Sequence, residues 1–207
     1  MDKDESNNIK HTAAEQNKCV PKLAWDIRNS RLEYKGVYIS ILHPRLSKPN
    51  FSAIVEEQDT SLALSEFREL HDPGELPVWY LGHKAASDPA KKLGSVVVRA
   101  CRPFIFQAII HELDEDPTWC EEWISEALDN IFSLVSEKQV TSLCIPALGH
   151  VHGRMTLKDS ISLIMDRLKV FLTRNPSDSA HKPLKKIWIQ VDKNEYLEAV
   201  SILNEWI

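Results

Sequence analysis

The sequence predicts an α/β fold with a parallel or mostly parallel sheet covered by helices on both faces, and three features carry that prediction. Leu143, Cys144 and Ile145 form a short apolar run typical of a parallel strand buried on both sides, and Pro146, which lacks a backbone donor, ends it. A loop bracketed by Gly149 and Gly153 follows, and then apolar residues at Leu157, Ile161, Ile164, Leu168 and Phe171, the repeat of an amphipathic helix. Strand-like and helix-like segments also alternate through the second half of the chain. Its 207 residues suit one domain of ordinary size with a substantial core.

In chain order, residues 1–22 are polar, charged and without period, and are expected to form a disordered arm ahead of a single domain over 23–207. The β-branched and aromatic run from Gly36 to Leu42 predicts a first strand, which Pro44 and Pro49 keep from extending. Ala53, Ile54 and Val55 predict a short buried strand, with a helix or irregular turn over 62–70 and a turn at Asp72, Pro73 and Gly74. Further strands are predicted over 78–81, 95–100 and 104–111. From Thr118 to Lys138, Trp119, Trp123, Ala127, Ile131 and Val135 recur every four residues and predict a long helix, its acidic residues forming a solvated face. The strand at 143–145 and the helix from Leu157 come next. Ile187 to Val191 predicts a strand, and Asn194 to Trp206 a closing helix.

Composition excludes several classes. Net charge is −5, with Lys and Arg scattered, so no nucleic-acid surface is indicated. No apolar run approaches the roughly 20 residues needed to span a bilayer, and the start lacks a secretory apolar region, so a cytoplasmic protein is expected. Cys19, Cys101, Cys120 and Cys144 have no metal-like spacing and read as reduced, buried thiols. His150 and His152 point to one side of an extended segment, but zinc requires three or four protein ligands and no others lie at a convincing spacing, so no metal and no cofactor are expected. His111, ending an apolar strand without a neighbouring nucleophile, reads as a hydrogen-bonded structural histidine. At the carboxyl end of a parallel strand, a loop such as 146–153 turns N–H groups towards a helix N-terminus, a common seat for an anionic ligand. Arg154, just after that loop, is placed either to neutralise a phosphate or as a solvated surface residue.

The stretch from Ser142 to Gly153 resembles the second ligand loop of macro domains, which reads like S-I-A-F-P-A-I-G-T-G-V-F-G before an amphipathic helix. Ser142, Pro146, Ala147, Gly149 and Gly153 match that order and Leu148 is a conservative fit, whereas His150, Val151 and His152 fill a span one residue shorter and without the central Gly. Val55 to Leu62 keeps the frame of the family's V-N-A-A-N-x-x-L motif, and the segment ending Ile109, Ile110, His111 is similar to its central I-I-H strand. The resemblance implies a three-layer α/β/α sandwich with a mixed, mostly parallel central sheet. It also implies ligand contacts by Val55, Asp59, Pro146, Ala147, Leu148, Gly149, His150, Val151, His152, Gly153 and Arg154.

Departures from the family pattern fall on its ligand residues. Asp59 stands where an Asn holds the distal ribose, and a carboxylate accepts hydrogen bonds but cannot donate as an amide does. Ala63 to Phe67 replaces a Gly-rich turn that allows close backbone approach, and His43 to Leu46 lacks the family's adenine-binding Asp. The expected function is therefore binding of ADP-ribose or a related NAD-derived nucleotide without turnover. Two alternatives stand beside it. One is a hydrolase of ADP-ribosyl or O-acyl-ADP-ribose linkages, for which Asp59 is the catalytic candidate; the other is a degenerate macro fold that binds a protein partner. Gly149→Val is expected to abolish nucleotide binding with modest loss of stability.

Overall fold

The computed structural model describes residues 31–43, 50–64, 89–112, 115, 117–174 and 184–206. Strands β1 (Arg31–Tyr34) and β2 (Val37–Ile41) form a hairpin across Lys35 and Gly36, both at positive φ. Such a two-residue turn matches the twist of its flanking strands. β1 was not expected from the sequence, because four half-polar residues give little periodicity of their own. In β2, Val37, Ile39 and Ile41 are buried and alternate with half-buried Tyr38 and Ser40.

The remaining strands are β3 (Ala53–Asp59), β4 (Val96–Arg99), β5 (Phe104–His111), β6 (Ser142–Pro146) and β7 (Lys186–Gln190). They form one seven-stranded sheet in the order β1-β2-β7-β6-β3-β5-β4. The four inner pairings, β2–β7, β7–β6, β6–β3 and β3–β5, are parallel, and both outermost pairings are antiparallel. The expected mixed, mostly parallel sheet is therefore present. β3 runs four residues beyond the expected 53–55: Glu56, Glu57, Gln58 and Asp59 are poor strand formers by composition, but β5 pairs with them along their length.

Three helices follow: α1 (Glu121–Glu137), α2 (Leu157–Arg174) and α3 (Tyr196–Asn204). α1 starts three residues later than its apolar spacing predicts, and Trp119 packs against the core from outside it. α2 is capped by Thr156, whose hydroxyl accepts the Asp159 N–H at 3.1 Å and donates to the Asp159 carboxylate at 2.6 Å. The helices lie against the sheet face that carries Ile39, Val55, Phe106, Ile145 and Ile189, and with Ile124, Leu128, Ile131, Ile161 and Leu168 they close one hydrophobic core. The arm expected over 1–22, the strand over 78–81, the turn at 72–74 and most of 62–70 lie outside the described residues, and helices expected on the second sheet face are not among the described ones. Of the thiols expected to be buried, Cys144 is, whereas Cys120 is half-buried and Cys101, in the turn after β4, is exposed. Among the described residues, no helix is long and apolar enough to cross a membrane.

Candidate functional site

Strand order locates the crevice. After β6 the chain returns through α2 to β7 on one side, while after β3 it proceeds to β4 and β5 on the other. The connections thus diverge between the adjacent parallel strands β3 and β6, and at such a point a crevice opens outside the carboxyl ends of the strands. Three segments converge there: residues 60–64 after β3, His111 at the end of β5, and residues 147–156 between β6 and α2.

Asp59 is enclosed at the end of β3, with no exposed surface. Its Oδ1 accepts the Ser61 N–H at 2.7 Å, and its Oδ2 accepts the N–H groups of Ala63 and Leu64 at 2.7 and 2.8 Å. The carboxylate thereby folds the chain after β3 into a tight turn.

Two residues earlier, Glu57 reaches across to the other loop. Its Oε1 accepts the Gly149 N–H at 2.7 Å, and its Oε2 lies 3.3 Å from Nε2 of His111. Glu57 is 4 % exposed and His111 fully buried. Among the described residues, His111 Nδ1 has no hydrogen-bond partner, and the ring meets that of His152 edge-to-face at 6.1 Å. Buried carboxylates require such partners, because removing the charge from water is costly unless donors replace the solvent.

The loop itself is shaped by its glycines and by His150. Gly149 has φ +75°, and a Cβ there would meet Ile124 Cδ1 at 2.5 Å. A Cβ on Gly153 would come within 2.6 Å of the Gly149 carbonyl oxygen and 2.8 Å of the Trp119 ring. The modest stability loss expected for Gly149→Val therefore needs correction: both the left-handed backbone and the α1 contact oppose a side chain at that position. His150 places Nδ1 2.7 Å from the Met155 carbonyl oxygen and Nε2 2.7 Å from a Glu195 oxygen, joining the loop to the turn before α3. Burial alone would lower the pKa of His150; hydrogen bonds to Glu195 and Met155 and the charges of Glu195 and Glu57 outweigh it, so the pKa is raised.

The expected site residues separate by environment. Val55, Ala147 and Leu148 bury their side chains in the core beneath the crevice. Pro146, His150 and His152 are half-buried, Gly149 and Gly153 are enclosed, and Val151 and Arg154 are exposed, Arg154 at φ +57°. Among the described residues, no three His, Cys, Asp or Glu side chains are grouped to hold a metal ion. Sequence reasoning missed Glu57 and Glu195. Glu57 lies beyond the strand expected over 53–55 and is held by β5, so no local signal marked it, and none marked Glu195.

No protein-family model matches the chain, and comparison with curated proteins gives no match. Among solved structures it is similar to the Oceanobacillus iheyensis macrodomain with ADP, at 17% identity over 86% of this chain and 97% of that one, with a TM-score of 0.57. The macrodomain of Thermus aquaticus DarG is 19% identical over 74% of this chain and 98% of its own, with a TM-score of 0.51. The Trypanosoma brucei macrodomain in complex with ADP-ribose is 12% identical over 80% and 68%, with a TM-score of 0.54. With its seven-stranded mixed sheet and helices α1 to α3, this chain has the macrodomain fold.

Proposed function

We propose that the protein binds ADP-ribose or a related NAD-derived nucleotide in the crevice between β3 and β6, without turning it over. The observation that carries this reading is the meeting, at the divergence of β3 and β6, of the turn held by Asp59 with the Gly149 loop that leads into α2. The similar structures from Oceanobacillus iheyensis and Trypanosoma brucei, described with ADP and with ADP-ribose, support the choice of ligand class. Binding without turnover is supported by Asp59. Aligning a water would require a carboxylate oxygen open to the crevice, whereas Asp59 has no exposed surface and its oxygens accept three backbone N–H groups inside the turn.

Calorimetric titration of the folded protein with ADP-ribose, then NAD and ADP, tests this. Saturable binding at micromolar affinity is expected, with no release of ADP-ribose from an O-acyl or ADP-ribosylated substrate. Absence of heat with all three ligands would replace this reading with that of a protein-interaction domain, which is favoured by one observation: Glu57 already occupies the Gly149 N–H of the loop.

A further inference from the structure

In the loop between β6 and α2, the Gly149 N–H already has an anionic partner within the chain, the Glu57 carboxylate. We propose that Glu57 determines ligand choice by acting as an anion internal to the site: it occupies the Gly149 N–H and disfavours nucleotides in proportion to the negative charge they bring to this end of the crevice. The proposal rests on the reading that the crevice binds a nucleotide, and it names the preferred class as the least negatively charged.

Glu57 is not a mobile surface acid that a ligand could push aside. Its side chain is 4 % exposed, and its two oxygens face donors from two other parts of the fold, the Gly149 amide at 2.7 Å and the His111 imidazole at 3.3 Å. The bond to Gly149 is charge-assisted and short. A phosphate approaching that amide must either displace the carboxylate into the core or remain beside it as a like charge in poorly screened surroundings. The same strand contributes a second enclosed carboxylate, Asp59, so no cationic side chain of β3 offsets the first. His150, whose pKa the Glu57 charge helps to raise, is engaged by Met155 and Glu195. Sequence position conceals this arrangement, since Glu57 and Gly149 are 92 residues apart.

The test compares the wild-type protein with Glu57→Gln, which keeps the shape and an acceptor oxygen but removes the charge. Each is titrated with adenosine, NAD, ADP-ribose and ADP. Affinity for ADP-ribose and ADP should rise by about tenfold or more in the variant, the gain for NAD should be smaller, and adenosine should change by less than about twofold. An equal change for adenosine and ADP, or no change for any ligand in a variant that melts cooperatively, overturns the proposal.

Should Glu57→Gln fail to fold, the wild-type Gly149 amide resonance decides. It should shift on saturation with ADP-ribose and stay in place with adenosine; an unmoved Gly149 resonance with ADP-ribose bound overturns the proposal. Wild-type binding of ADP-ribose with no gain in the variant sinks the role of Glu57 alone. Failure of both proteins to bind any nucleotide sinks the underlying functional reading as well.

Discussion

Both oxygens of Asp59 face backbone N–H donors, an arrangement that suits an acid and not an amide at this position. A carboxylate accepts at both oxygens, whereas an amide would turn its NH2 towards a backbone donor. Asp59→Asn should therefore destabilise the protein by about 2 kcal/mol or more, read from chemical denaturation, through lost charge-assisted bonds and a buried donor left facing another. If Asn were tolerated at no cost, the turn would not depend on the acid. Gly149→Val should cost about 2–4 kcal/mol by the same measurement, from its left-handed backbone and the 2.5 Å approach to Ile124. At this scale the sequence was only partly legible. Asp59 stood out as a candidate, but its part in the turn did not, because its acceptor geometry depends on how residues 61–64 fold back over it.

Elements meet through a few polar contacts, of which His150 with Glu195 is the most informative because it ties the β6–α2 loop to the turn before α3. The folded-state pKa of His150 is raised, so its stabilising contribution is complete below the unfolded value of about 6.5 and is lost as pH rises through the folded value. The stability difference between wild type and Glu195→Gln should accordingly shrink as pH increases, and the His150 ring protons should titrate at lower pH in the variant. A difference constant with pH would detach the pair from stability. Helices and central strands were readable from periodicity: α2 begins at the predicted Leu157, and β5 spans the predicted 104–111. β1 was not readable, because it is specified mainly by pairing across Lys35 and Gly36. Nor was the far end of β3, which is held in the sheet by β5 rather than by its own residues.

At the scale of the molecule, the strand order places β7 between β2 and β6 and thereby joins the amino-terminal hairpin to the rest of the sheet. Alternating segments in the sequence predicted a parallel sheet but not this insertion, which depends on pairings between residues about 150 positions apart in the chain, such as Ile39 with Ile187. A chain cut after Arg174 should lack a cooperative melting transition, because β2 and β6 would both lose a parallel neighbour and Ile187 and Ile189 would leave the core. A sharp melt of the truncated chain would show that β7 is dispensable.

The position of β7 also orders events during synthesis. Residues 37–41 leave the ribosome long before residues 186–190, and until those emerge β2 has no parallel neighbour while β6 offers an unpaired edge towards solvent. Between the emergence of β2 and that of β7 the nascent chain therefore carries an open edge on β2, joined by a second once β6 has emerged, and both are available to pair with other chains.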